Sequence, residues 1–253
     1  MDLKLIIGVV IVVILLYIIW SYLFTSMEVL MSFQKGNVLT TISASKVVDS
    51  SKNNFSFSVW TYIDEWNVNY GNSKNILCVS PGTNTPCQFA MYFSSTTNDL
   101  NIYVEPNYDP KDESARPTGV NVYNSLATTC KVTNFPLQTW VNISVSVYNR
   151  AIDVYIDGKL IKTCSMDKVA SPISNSSNIF IGGQLNPGTD RVPGFSGFIA
   201  SVVYSADVFS PKEVWDIYSR GYTNSAFDLN ALKRYKVELA FLKDNSVLKS
   251  FSI

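Results

Sequence analysis

"WVNISVSVYNRAIDVYIDGKLI", residues 140–161, decides the fold. Val141, Ile143, Val145 and Val147 fall on one side of an extended chain, and Asn142, Ser144, Ser146 and Tyr148 on the other. Successive side chains of a strand point to opposite faces, so the spacing predicts a sheet with one apolar and one solvated face. "AIDVYI" then runs into Asp157-Gly158, a dipeptide that suits a type I′ hairpin because both positions tolerate positive φ. "KLIKTC" is the returning strand.

Working outward, the same pattern recurs in "FSFSVWTYI" (55–63), "QFAMYF" (88–93), "LNIYVE" (100–105), "NIFIGG" (178–183) and "FSGFIASVVYSA" (195–206). Short strands separated by Asn, Gly, Pro and Ser clusters predict an all-β sandwich or barrel. One helix interrupts. Ser210 is its N-cap, Pro211 its first residue and Glu213 its capping-box acid, while Val214, Trp215, Ile217 and Tyr218 form an apolar face that stops at Gly221. Further on, "RYKVELAFLKDNSVLKSFSI" (234–253) predicts a C-terminal hairpin turning at Asp244-Asn245.

Composition excludes several functions. The 20 basic and 20 acidic residues cancel, and no basic stripe exists, so nucleic acid is not an expected partner. There is no histidine, which removes Ser-His-Asp and Cys-His catalysis and every His-ligated metal site. Cys78, Cys87, Cys130 and Cys164 lack the paired spacing of a zinc centre and predict two disulfides formed in an oxidising compartment. Cys78 and Cys87 bracket the tight loop "VSPGTNTP". With Cys130 on an antiparallel neighbour of the strand that ends at Cys164, the expected pairs are Cys78–Cys87 and Cys130–Cys164.

Leu5 to Phe24 is a run of twenty residues without a charge. As a helix it spans about 30 Å, the thickness of a bilayer's hydrocarbon core. Tyr17, Trp20 and Tyr22 gather near one end, where headgroups favour aromatic rings. The run is longer than a signal peptide's apolar region, and "LFTSMEV" offers no small-x-small cleavage site. Residues 1–24 are therefore expected to be an uncleaved transmembrane anchor, 25–50 a linker with a possible first strand, 51–221 the sandwich and 222–253 the hairpin extension.

The order of an alternating strand, YIDGKL, IFIGG, GFSGFIASVVY and SPKEVWDIYSRG resembles laminin G-like, or concanavalin A-like, jelly-roll domains over residues 51–221. The resemblance implies two packed antiparallel sheets with the short helix at their edge, and Trp60, Trp140, Phe180, Phe198 and Val202 in the core. Some relatives are glucanases, and laminarinase-type members carry E-x-D-x-x-E; no Glu-x-Asp occurs here. A retaining glycosidase needs two carboxylates about 5–5.5 Å apart. Asp153 and Asp157 share a face, but the turn claims Asp157; Asp64 and Glu65 point apart, and Glu213 and Asp216 belong to the helix. No catalytic residue is expected.

Related binding modules hold calcium at the sandwich rim. The loops "DEWNVNYGN" (64–72) and "EPNYDPKDES" (105–114) make Asp64, Asp109 and Asp112 the candidate ligands. Calcium takes six to eight oxygens, and neither loop has a recognisable ligand spacing, so no cofactor is expected. Trp66, Tyr70 and Tyr108 are candidate contacts for a sugar or a protein partner. Sequons at Asn54, Asn142 and Asn175 are no more than chance gives with 22 Asn and 47 Ser plus Thr.

The anchor followed by one such domain, and stretches such as "FPLQTWVNISVSVYNRAIDVYIDGKLIKTC", are similar to membrane-anchored proteins of large icosahedral DNA viruses. That resemblance implies a minor capsid or virion membrane protein, with the bilayer and other capsid proteins as partners and the domain facing the shell. The alternative is a membrane-anchored lectin or adhesin for carbohydrate, on a lumenal or extracellular face.

Overall fold

The computed structural model describes residues 12–13, 15–16, 27–46, 51–83, 85–107, 129–185, 192–222, 238–243 and 246–252. Within them two six-stranded antiparallel sheets face each other. The first has the order β1 (Glu28–Lys35), β12 (Ser196–Ser205), β3 (Phe55–Glu65), β8 (Trp140–Tyr148), β9 (Ala151–Ile156) and β10 (Lys159–Ser165). The second has β2 (Thr40–Ser43), β11 (Asn178–Ile181), β4 (Lys74–Ser80), β5 (Phe89–Phe93), β6 (Leu100–Val104) and β7 (Thr129–Val132). A separate unit, Thr223–Ile253, contains β13 (Glu238–Lys243) and β14 (Ser246–Ser252), paired antiparallel with Lys243 opposite Ser246.

The core forms because each sheet turns one parity of side chains inward. Phe55, Phe57, Val59 and Ile63 of β3 and Val141, Ile143, Val145 and Val147 of β8 meet Leu77, Val79, Phe89, Met91, Phe93, Leu100 and Ile102 of the second sheet. Phe57 stacks on Phe89 at 5.0 Å, and Phe55 meets the same ring edge-on at 5.4 Å. The hairpin between β9 and β10 turns at Asp157 (φ 49°) and Gly158 (φ 77°), as a type I′ turn requires. A side chain at 158 would also meet the Trp215 ring at 2.9 Å.

The disulfides are Cys78–Cys87 and Cys130–Cys164. The second does not join neighbours in one sheet, as the sequence reading assumed: Cys130 is on β7, the edge of the second sheet, and Cys164 on β10, the edge of the first. It closes one open side of the sandwich, where Lys162 Nζ also donates to the Lys131 carbonyl at 2.9 Å. Asp99, just before β6, fixes β7. Burial pushes its carboxyl up, but the Lys131 ammonium at 2.7 Å, the Thr97 hydroxyl at 2.6 Å and the Asn134 amide at 3.2 Å outweigh it and hold the group below its ordinary range.

The face read as solvated is covered. Asn142, Ser144 and Ser146 are buried, together with Ser56 and Ser58 opposite them. The helix α1 (Pro211–Arg220) lies over this face, with Val214 and Ile217 packed among Tyr155, Val203 and Phe209. Small polar side chains suit a tight lid because they bond to one another. Asn142 Nδ2 donates to Ser58 Oγ at 3.0 Å, Ser144 Oγ to Ser58 Oγ at 2.8 Å, and the Phe209 amide to Ser56 Oγ at 3.0 Å. The helix begins as expected, on a Ser210–Glu213 capping box with Pro211 in its first turn.

Of the proposed anchor, Val12, Val13, Leu15 and Leu16 are helical, and each exposes more than half of its surface. Among the described residues no helix is long and apolar enough to cross a membrane. Leu5, Tyr17, Trp20 and Phe24 lie outside the described residues.

Candidate functional site

Beyond the C-terminal end of α1, the outer face of the first sheet is aromatic instead of small and polar. Phe198 on β12 stands opposite Tyr62 on β3, and Tyr62 opposite Trp140 on β8. Phe33 on the edge strand β1 stacks on Phe198 at 5.4 Å, and Tyr222, just past the helix, stacks on Trp140 at 4.3 Å with planes 8° apart. Tyr62 bridges the two stacks, 6.3 Å from Phe198 and 5.7 Å from Trp140. Trp60 lies beneath, stacked on Tyr218 at 5.7 Å and edge-on to Tyr222 at 6.0 Å.

This row is a surface feature. Phe33 is 56% exposed and Tyr222 38%, while Phe198, Tyr62 and Trp140 are half-buried. Only Trp60, 5% exposed, is enclosed, and its indole nitrogen is buried without a hydrogen-bond partner. Lys35, opposite Phe198, and Asp64, one rung beyond Tyr62, put one charge of each sign at the rim.

Of the five residues expected in the core, Val202 packs between the sheets and Trp60 and Phe180 are buried outside the inter-sheet cluster, while Trp140 and Phe198 are only half-buried, which corrects the expectation for those two. Phe180 joins a cluster on the outside of the second sheet, with the Cys78–Cys87 bridge, Tyr92 and Tyr103. Parity carried the signal: Trp60 and Tyr62 share their face with Ser56 and Ser58, and Trp140 shares its face with Asn142 and Ser144.

The residues expected at a ligand rim do not come together. Trp66 packs edge-on against Phe93 of the core at 6.1 Å, and the Lys74 ammonium sits 4.3 Å above its ring. Tyr70 is exposed in the following turn, and Asp64 is exposed at the end of β3. Tyr108, Asp109 and Asp112 lie outside the described residues. No three metal-ligating side chains gather among the described residues. Four of the carboxylates weighed for catalysis have structural partners. Asp157 Oδ1 accepts from the Asn142 amide at 2.9 Å, Asp153 from Thr163 at 2.6 Å, Glu213 from the Ser210 amide at 2.7 Å, and Asp216 from Lys212 at 2.6 Å.

Lys74 is fully buried without a hydrogen-bond partner, and burial pushes its ammonium's pKa below the usual lysine range. The unfolded chain therefore binds this proton more tightly. Stability from the site is present above the ordinary lysine value of about 10.4 and is lost as pH falls through that value toward the depressed one. Lys74→Met removes that slope. It should also raise stability near neutral pH by about 1 kcal/mol, because an unpartnered buried polar group costs about 1–3 kcal/mol and the contact with Trp66 returns only part of it. Tyr92 and Tyr155, whose hydroxyls burial pushes up, act in the opposite sense above about pH 10. The readout is thus the difference in urea midpoint between wild type and variant across pH; equal slopes would remove Lys74 from this role.

The geometry defines a lectin-like jelly roll: two antiparallel sheets, one short helix and a surface of aromatic side chains. The family described as the concanavalin A-like lectin/glucanases superfamily, laminin G type, matches residues 35–215, and the chain belongs to it. No curated protein matches. Similar solved structures include the binding domain of botulinum neurotoxin DC with rat synaptotagmin II (16% identity, 77% of this chain and 46% of that one, TM-score 0.48). Others are the botulinum neurotoxin serotype D ligand-binding domain with N-acetylneuraminic acid (12%, 76% and 46%, 0.46) and a Trypanosoma rangeli sialidase (14%, 68% and 24%, 0.44). The chain spans less than half of each, and the likeness stops at the fold.

Proposed function

We propose that this chain is a membrane-anchored, non-catalytic interaction protein whose jelly roll docks onto other proteins through the aromatic row. The row is the observation that carries the reading. Tyr, Trp and Phe are enriched in the cores of protein interfaces, where a few of them supply most of the binding energy. Five such rings, contiguous over four strands and partly exposed, form a patch of that composition. The partners already found for Asp153, Asp157, Glu213 and Asp216 support a non-catalytic role.

Chain direction supports the docking geometry. The apolar run ends at Phe24, and β1 begins at Glu28. Phe33 and the rest of the row lie toward the far end of β1, about 17 Å along the strand at 3.3 Å per residue. A domain tethered near Glu28 holds the row away from the bilayer and toward a facing surface. The setting we propose is a virion inner membrane with the domain facing the capsid shell, which rests on the resemblance of the anchor-and-domain arrangement to proteins of large icosahedral DNA viruses.

A photo-crosslinking benzoylphenylalanine in place of Phe33, illuminated in native membranes, tests the reading. A discrete adduct with a shell protein is expected, and none from the same group placed at exposed Asp167. Absence of any protein adduct, with glycan-array binding that Trp140→Ala abolishes, would move the reading to a lectin or adhesin.

A further inference from the structure

We infer that the uncharged loops at one end of the sandwich insert into the surface of a zwitterionic lipid bilayer. β1 and β3 run in the same direction, so the turn 36–39 and the loop 66–73 leave the sheets at the end opposite Glu28. The loops 94–98 and 133–139, which join β5 to β6 and β7 to β8, emerge at that same end. These four stretches contain no Asp, Glu, Lys or Arg, and the described residues of 182–195 add none. At the end nearer Glu28 the described loops carry Lys52, Glu105, Arg150, Asp167, Lys168 and Asp207. The charges are sorted to one end.

Neighbouring loops are fastened to one another, so their tips form one surface. Asn69 Nδ2 donates to the Gly194 carbonyl at 3.1 Å, and a side chain at Gly194 would meet Asn37 Cα at 2.9 Å. Loop 66–73 is thereby held beside turn 36–39. The Gly71 amide donates to the Ser95 carbonyl at 2.9 Å. The Phe135 amide donates to the Asn98 carbonyl at 2.7 Å, and Asn98 Nδ2 returns a bond to the Phe135 carbonyl at 2.9 Å. Val38, Leu39, Val68 and Tyr70 stand out from this surface, each between 37% and 59% exposed, with Trp66 half-buried among them.

A charge is costly inside a bilayer, whereas a protein interface keeps charges at its rim and draws specificity from them. Absence of charge across adjoining loops is therefore a condition for lipid insertion and not for protein docking. The remaining composition agrees. Aliphatic side chains suit the acyl boundary, Tyr70 and Trp66 the headgroup level, and Asn, Ser and Thr can bond to ester and phosphate oxygens. Side chains on separate loop tips make a convex surface, around which lipid yields and a rigid partner needs matching hollows. At the strand ends just below, Asp64 and Glu65 oppose Lys35, and Asp157 opposes Lys159. No cationic excess is present to hold anionic headgroups, so the lipid is zwitterionic. The aromatic row lies on a sheet face and these loops at an end, so docking and insertion use different surfaces. That the bilayer is a second one, facing the anchor's, rests on the membrane-anchored reading above.

The test incorporates the full chain into phosphatidylcholine vesicles and adds a second, fluorescent population of the same lipid. Retention on alkaline extraction reads the anchor, and capture of the fluorescent vesicles reads the loops. Capture is expected, and it should not increase when phosphatidylserine replaces part of the second population's lipid. Val38→Asp with Val68→Asp should lower capture about tenfold or more, since two charges must then enter the interface. Tyr70→Asp should lower it less and carries the same test where the double variant does not fold. Tyr148→Asp, exposed at the opposite end, should leave it unchanged. An anchored chain that captures nothing, or captures equally well with the double variant and Tyr70→Asp, overturns insertion. So does a protein adduct from benzoylphenylalanine at position 68 without vesicle capture, which assigns the loops to a protein. A steep rise with phosphatidylserine overturns the zwitterionic lipid. A chain stripped at alkaline pH that still floats with vesicles at neutral pH, and loses flotation in the double variant, removes the anchor and leaves insertion standing.

Discussion

Arginine at both Val12 and Ile14 is expected to release the chain from membranes. Each charge at the centre of a spanning helix costs about 2.5–3.5 kcal/mol on insertion scales, and the run from Leu5 to Phe24 has no other charge to pair with it. The helical residues on either side, Val13, Leu15 and Leu16, are each more than half exposed, so neither arginine would find a polar pocket beside them. Alkaline extraction of membranes followed by pelleting reads the result. Complete retention of the double variant in the pellet would remove the anchor from the proposed function, while leaving the jelly roll and its aromatic row untouched.

Loss of the Cys130–Cys164 bridge should cost about 3–4 kcal/mol, the second-largest effect expected. The bond closes a loop of 34 residues, and in the chain-entropy model the stabilisation grows with the logarithm of loop length. It also fastens the edge strand of one sheet to the edge strand of the other. Cys130→Ser with Cys164→Ser should lower the denaturant midpoint accordingly. Cys78→Ser with Cys87→Ser, which opens a separation of only 9 residues, should lower it less. Equal losses from the two pairs would show that loop entropy is not what the longer bridge supplies.

The strands that the sequence made legible share a physical trait: alternate side chains pack in the main core and the others face away from it. β3, β8 and β9 show that alternation directly, and the capping box at Ser210 marked the helix. β4 escaped because a register shift between Asn75 and Leu77 puts the consecutive residues Ile76 and Leu77, and Val79, all in the main core, so no period of two runs through it. β1 lay in what read as a linker with a possible first strand, and the four residues of β7 were too few to declare a period. The outer face was misread in two ways for one reason. Polarity was taken to mean solvent and aromaticity to mean core, whereas α1 covers the serines and leaves part of the rings bare. Sequence parity places a residue on a face; only tertiary packing decides whether that face is wet.

The burial of Asn142 sets up a race. Its side chain is enclosed and hydrogen-bonded to Ser58, yet Asn142-Ile143-Ser144 is a glycosylation acceptor sequence. In any compartment that attaches sugars to nascent chains, a glycan at this position and closure of the helix over the sheet exclude each other. A modified molecule is committed to remaining open along that face, however well the rest of it folds. The native population thus consists of chains whose strands paired before the transferase arrived, or of chains made where no such enzyme works, and the occupancy of this single asparagine in the misfolded fraction reports which history applies.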